Sequence, residues 1–121
     1  MLLRVSGQSD GADYDVQAVN GIDPEDCGIE HAAELVAFAE AVLGPSDEER
    51  SRTRAALAVC AGEDGLVDAA AIVATFSMMV RIADGTGIPL DGVLDAPSAE
   101  LRSELDLARF ASSANTPGAQ G

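Results

Sequence analysis

The sequence predicts an all-α fold, and two observations carry that prediction. Apolar residues recur every three or four positions over long stretches of the 121-residue chain. Glycine, proline and serine, which end or begin helices, stand between those stretches. The pattern predicts about four helices, over 28–43, 46–60, 65–84 and 98–111. Residues 27–111 are therefore expected to form a single helical domain, after an irregular segment over 1–26 and before a disordered tail over 112–121.

The first two helices are bounded by clear signals. One face of the first helix is apolar apart from its histidine, and the Gly44-Pro45 pair ends it; that face comprises His31, Leu35, Phe38 and Val42. Ser46 begins the second helix as the first residue of SDEE, a capping-box pattern. Leu57 lies on its expected inner side with Thr53, Ala56 and Cys60, and Gly62 closes it.

The third helix is long and apolar, and Gly85 is placed to end it in a left-handed conformation. Its apolar run, from Ala69 to Val80, is shorter than the roughly twenty residues that span a bilayer. We therefore expect this helix to be buried in a folded protein rather than to span a membrane. A loop containing Pro97 leads to the last helix, which is expected to face inward through Leu101, Leu105 and Ala108. Near the N-terminus, MLLRV and YDVQAV are read as short extended segments.

Charge and composition exclude some partners. The net charge is −14, with seven arginines and no lysine, so the clustered basic residues that bind nucleic acid are absent. The same charge repels anionic membranes. Aromatic residues are few, so small side chains must fill the core, and a homo-oligomer is expected to supplement it. No secretory signal is visible, and the two cysteines of an unsecreted chain are expected to be reduced, which makes the cytoplasm the default location.

Cys27 and His31 form the first candidate site. On one helical turn the two side chains share a face, and an imidazole beside a thiol favours the reactive thiolate. In the alternative interpretation, His31 is the first residue of an apolar face and Cys27 is a small residue at a helix start. A catalytic nucleophile ordinarily has a third, orienting group, and none is visible here.

A stripe on the long helix forms the second candidate site. Its residues follow each other by four, three, four and three positions and so share one face: Ala70, Ala74, Ser77, Arg81 and Asp84. The stripe fits a close helix–helix contact whose arginine lies at the helix end. It equally fits one wall of a small-molecule pocket, with Arg81 binding an anion beside Ser77 and Asp84.

The remaining polar residues predict neither a metal site nor a cofactor. Cys60 is expected to pack as a small apolar residue. The acidic groups Asp47/Glu48/Glu49 and Glu63/Asp64 lie near helix starts, where their negative charges interact favourably with the helix dipole. They lack the histidines and spacing of a metal site.

Three segments in order resemble the alkyl hydroperoxidase D-like (AhpD-like), or carboxymuconolactone decarboxylase-like, superfamily. They are AELVAFAEAVLG (33–44), RAALAVCAG (54–62) and LVDAAAIVATFSMMVRIADGTGIPLD (66–91). The resemblance covers about residues 31–110, and Arg81 matches the arginine that ends the long helix in relatives, where Ser77 replaces an asparagine. It implies an all-helical fold that assembles as trimers or hexamers.

The chain departs from the peroxidase members of that superfamily at their reactive centre. Those members carry Cys-x-x-Cys-x-x-x-His, whereas Cys27 and His31 are here preceded by Pro24 at the first-cysteine position. A single thiol cannot form and release an internal disulfide. We therefore expect an oligomer that binds or acts on a small metabolite near Ser77, Arg81 and His31. Two alternatives stay open: a single-thiol peroxidase or oxidoreductase using Cys27 with His31, and a non-catalytic structural or oligomerisation module.

Overall fold

The computed structural model describes residues 7, 9, 11, 14–22, 24 and 27–116. Between residues 27 and 116, which are described without a gap, it contains three α-helices: α1 (Ala32–Leu43), α2 (Asp47–Thr86) and α3 (Gly92–Glu104). Short 3-10 helices lie at Val16–Asn20, Leu107–Arg109 and Ala111–Asn115. No strand occurs among these described residues. The predicted all-α class is therefore confirmed.

Helix α1 begins later than the sequence pattern predicts. The expected start at residue 28 is wrong, because Gly28 (φ 82°) and His31 (φ 58°) both adopt left-handed backbone conformations. His31 therefore occupies the N-cap position of α1 without a capping hydrogen bond from its side chain. Histidine is among the residues that tolerate this conformation better than most. The imidazole therefore lies at the N-terminal end of α1 rather than on one of its faces.

Helix α2 joins the two predicted central helices. Ser46 Oγ accepts a hydrogen bond from the backbone N–H of Glu49 at 3.2 Å, so the predicted cap forms. Gly62 has φ 76° and ψ 175°, which breaks the helical geometry at the predicted boundary. This combination of angles is accessible essentially to glycine alone. We call the two parts α2a (47–61) and α2b (63–86).

The end of α2 lies two residues beyond the predicted one. Gly85 remains helical, and Gly87 takes the left-handed conformation instead, with φ 68°. The backbone N–H of Ile88 donates to the carbonyl of Ala83 at 3.0 Å, and that of Gly87 donates to Asp84 at 3.4 Å. These two bonds form a Schellman motif, which satisfies carbonyls that the helix end leaves unpaired.

Helix α3 also departs from its predicted bounds of 98–111, since it begins at Gly92 and includes Pro97. The Asp91 carboxylate caps the start by accepting from the Val93 N–H at 3.1 Å. Near the proline, Ser98 Oγ donates to the Leu94 carbonyl at 2.6 Å and Arg102 donates to the Asp95 carbonyl at 3.0 Å. Neither bond reaches the Val93 carbonyl, which is the one that Pro97 leaves without its helical N–H partner.

Backbone contacts divide the chain into two compact units, with the boundary between Phe76 and Ser77 inside α2. In the first unit, α1 and α2 share a core of Phe38, Leu57 and Ala69. Leu57 is 0% exposed, as its predicted inner position requires.

A smaller apolar cluster in the first unit contains Ala18, Cys27 and Ala32. The segment 14–19 is therefore not extended as expected, because Val16–Asn20 forms a 3-10 helix whose Ala18 is buried. The other segment expected to be extended, residues 1–5, lies outside the described residues.

In the second unit, none of the described residues from Ser77 to Thr116 is fully buried. Leu101 and Leu105 are half-buried, as the expected inner face requires, whereas Ala108 is exposed. The expected tail begins in an ordered turn, and Thr116 Oγ1 accepts a hydrogen bond from the Leu90 N–H at 3.1 Å.

Candidate functional site

Cys27 is one of the most deeply buried residues of the chain. It is 1% exposed and packs with Ala18 and Ala32, and its carbonyl accepts a hydrogen bond from the Asp15 N–H at 3.1 Å. A thiol that attacks a peroxide needs access to solvent or to a substrate channel. The position of Cys27 is that of a packed apolar residue.

His31 belongs to a different group of side chains. Ligand-type atoms of His31, Glu34 and Cys60 all lie within 4.8 Å of one another, and all three residues are half-buried. His31 and Glu34 come from the first turn of α1, and Cys60 comes from the end of α2a. The fold therefore gathers an imidazole, a carboxylate and a thiol from two helices.

The surroundings of this cluster are apolar on one side and open on the other. Cys60 packs against the buried core that contains Phe38 and Leu57, and its Sγ lies 3.4 Å from the Leu57 carbonyl, to which it donates. On the open side, Glu30 Oε1 lies 3.4 Å from His31 Nε2. Among the described residues nothing donates a hydrogen bond to the Glu34 carboxylate.

Sequence reasoning missed this grouping because its members are far apart along the chain. His31 and Cys60 are separated by 29 positions, and no short motif links them. A signal was nevertheless present: His31 and Cys60 were each expected on the inner side of consecutive helices. Two such helices joined by a tight Gly44-Pro45 turn pack side by side, which brings their inner faces together.

The predicted stripe on α2b lies on the surface. Ser77 is half-buried, whereas Ala70, Ala74, Arg81 and Asp84 are exposed. No described residue forms an ion pair with the Arg81 guanidinium. Among the described residues the stripe is therefore largely exposed to solvent.

Helix α2b as a whole lacks the burial expected for it. Phe76 is 61% exposed, and six further large apolar side chains on this helix are also more than half exposed: Val67, Ile72, Met78, Met79, Val80 and Ile82. At 100° per residue these side chains cover more than half of the helix circumference, whereas Leu66, Ala69 and Val73 form a face that is buried or half-buried. The prediction that the helix is buried does not hold for the isolated chain.

The same feature makes α2 a candidate membrane span by length and composition. Only 6% of its most apolar 18-residue window is buried. Its uncharged run, residues 69–80, extends over about 18 Å of helix, whereas a bilayer core is about 30 Å thick. The length of that run favours a protein environment over lipid.

The two best-formed grooves lie elsewhere, beside the joint between α1 and α2a. The larger encloses about 270 Å³ and is lined in part by Glu40, Gly44, Pro45 and Arg52. A hydrogen bond and Coulombic attraction from Glu49 raise the pKa of the Arg52 guanidinium above its ordinary, already high value. None of the predicted site residues lines either groove.

Comparison with protein families, with curated proteins and with solved structures finds no match to this chain.

Proposed function

We propose that the chain is a cytoplasmic, homo-oligomeric helical protein of the AhpD-like kind, without the two-cysteine centre. In this proposal, copies of the chain cover α2b and bind a small anionic metabolite beside Arg81. The observation that carries the proposal is the exposure of large apolar side chains over more than half of the circumference of α2b, outside the face through which Leu66 and Ala69 pack on the core. So wide an apolar surface is ordinarily covered, so this helix needs a partner.

A second copy of the chain is the partner that the residue pattern favours. Glu63 and Arg81 are 18 residues apart, which is five full turns, so they occupy the same line along α2b. In an antiparallel pair centred at position 72, Glu63 of one copy lies opposite Arg81 of the other. The same symmetry sets Ala70 opposite Ala74. Small residues thus meet at the centre and opposite charges meet at both ends, while Ile72, Phe76 and Met79 lie on the opposite side of the helix and are left for further copies to cover.

The ligand part of the proposal rests on the chemistry of Arg81. Its guanidinium has five N–H donors. A single carboxylate, such as that of Glu63, binds only some of them and leaves the others for a ligand. Ser77 lies one turn away on the same face, so its hydroxyl is available to the same ligand. A planar fork of this kind binds carboxylates and phosphates in a bidentate manner.

The association is tested by sedimentation equilibrium of the purified chain and of Ala74→Glu. We expect the wild-type chain to be a dimer or larger, and the variant to dissociate at least tenfold more readily, because a charge would be buried at the centre of the contact. Ala55→Glu, on the exposed surface of α2a, is the matched control and should leave the mass unchanged. A monomeric wild-type chain, or equal behaviour of the two variants, would contradict the proposal.

Ligand binding is tested by thermal unfolding in the presence of succinate and of phosphate. Binding to the folded state raises the unfolding temperature. We expect this shift to be lost in Arg81→Ala and kept in Arg54→Ala, which removes another exposed arginine. If both variants respond alike, Arg81 is not the binding group.

A further inference from the structure

We infer that His31, Glu34 and Cys60 form a binding site for a borderline-soft divalent cation, with Zn²⁺ as its best match. The inference stands apart from the proposed oligomer and its ligand. It rests on the convergence of three different donor atoms, all within 4.8 Å of one another, from two separate helices. His31 is the N-cap residue of α1, Glu34 lies in its first turn, and Cys60 reaches them from α2a.

The donor set selects the class of metal. Imidazole nitrogen, thiolate sulfur and carboxylate oxygen are the three ligand types that zinc accepts in proteins. Calcium and magnesium instead bind sets made of oxygen atoms, and a thiolate does not suit them. Three protein ligands leave a fourth tetrahedral position for water, which is the ligand number of an open zinc site.

The three ligand atoms need to move only slightly closer together to bind one ion. Zinc–ligand bonds of about 2.0–2.3 Å place tetrahedral ligand atoms about 3.5 Å apart. Side-chain rotation of Glu34, which has three free torsions, and of Cys60 provides the remaining ångström or so without moving either helix. On binding, the Cys60 S–H bond breaks, sulfur bonds to the metal and the proton goes to solvent.

The environment supports the site on both sides. Cys60 packs against the Phe38–Leu57 core, which limits water on the inner side. Glu30 Oε1 lies 3.4 Å from His31 Nε2, so that nitrogen can face the carboxylate while Nδ1 faces the metal. Metal-bound histidines commonly keep their second nitrogen on a carboxylate. The half-buried Glu34 carboxylate, which accepts no hydrogen bond from the residues that the structure describes, also gains a partner.

The test uses Co²⁺ as a spectroscopic probe and Zn²⁺ as its competitor, on the reduced full chain in about 0.15 M salt. We expect one equivalent of Co²⁺ to produce a thiolate-to-metal charge-transfer absorption, which Zn²⁺ abolishes. Cys60→Ser should remove that absorption and weaken Zn²⁺ binding at least tenfold. Glu34→Gln and His31→Asn should each weaken Zn²⁺ binding at least tenfold while keeping the thiolate absorption. Asparagine suits the left-handed backbone at residue 31.

Matched controls separate this site from the general attraction of an acidic chain for cations. Cys27→Ser changes the other cysteine, and Glu40→Gln changes an exposed carboxylate on the same helix as Glu34. Both should retain the absorption and the wild-type affinity, with circular dichroism confirming that every variant is folded. Loss of the absorption in Cys27→Ser, or its persistence in Cys60→Ser, would overturn the inference. So would equal Zn²⁺ affinity in all folded variants.

Discussion

At the scale of single residues, Leu57 carries the core of the first unit. It is 0% exposed, whereas Val59, two positions along the same helix, is 87% exposed. We expect Leu57→Ala to lower the free energy of unfolding by about 2–5 kcal/mol, because it leaves a cavity beside Phe38. Val59→Ala should change it by no more than about 0.5 kcal/mol. Urea unfolding at one fixed protein concentration measures both free-energy changes. Similar losses of stability in the two variants would show that the core around Leu57 does not stabilise the first unit.

The two thiols also differ at this scale. Cys27 is 1% exposed, and Cys60 is half-buried at the edge of the core. In metal-free protein we therefore expect a thiol-specific disulfide reagent to modify Cys60 at least tenfold faster than Cys27, since access limits the reaction. Mass spectrometry of Cys27→Ser and Cys60→Ser assigns the rates. Faster reaction of Cys27, with peroxide as well as with the reagent, would instead favour the single-thiol enzyme.

At the scale of elements, Gly62 determines how α2 is divided. Its φ of 76° and ψ of 175° are unfavourable for any residue with a Cβ atom, although no atom stands in the way of one. Gly62→Ala should therefore destabilise the fold by about 1–3 kcal/mol. Gly85→Ala is the matched control in a regular, open part of α2b, and it should stabilise by about 0.5–1 kcal/mol. Equal effects of the two substitutions on stability would mean that the fold does not depend on the kink at Gly62.

The elements also show which signals can be read from a sequence. Ser46 and Gly62 were predicted correctly because capping and helix breaking are local and depend on one or two residues. The start of α1 was missed because nothing local distinguishes a left-handed His31 from a helical one. Pro97 was predicted to be a loop residue because a proline ordinarily ends or kinks a helix, whereas here the helix that starts at Gly92 continues through it.

The candidate sites follow the same rule. The stripe through Ser77 and Arg81 was found in the sequence because its members share one helix, and periodicity alone puts them on one face. The His31–Glu34–Cys60 cluster was not found, because it depends on how α1 packs against α2a. The burial of α2b was expected from its composition, yet most of its large apolar side chains are exposed in the structure.

At the scale of the whole molecule, the net charge of −14 opposes the association that α2b favours. Two such charges about 40 Å apart in water repel by on the order of 20 kcal/mol before screening. Raising the ionic strength from about 0.01 M to about 0.1 M shortens the Debye length from about 30 Å to about 10 Å, which removes most of this repulsion. The same salt weakens the pairing of Glu63 with Arg81, but exposed ion pairs contribute only about 0–1 kcal/mol.

Repulsion between the copies therefore determines how salt changes their association, and we expect the dissociation constant of the oligomer to fall as salt is added. Sedimentation equilibrium at the two ionic strengths measures it. Charge reversal tests the smaller term: Arg81→Glu should weaken association at low salt, and adding Glu63→Arg should restore it more than adding Glu48→Arg, which returns the same net charge without giving residue 81 an opposite partner. Failure of the double variant to recover would exclude the antiparallel arrangement. Association that weakens with salt would mean that ion pairs, rather than the apolar surface of α2b, hold the copies together.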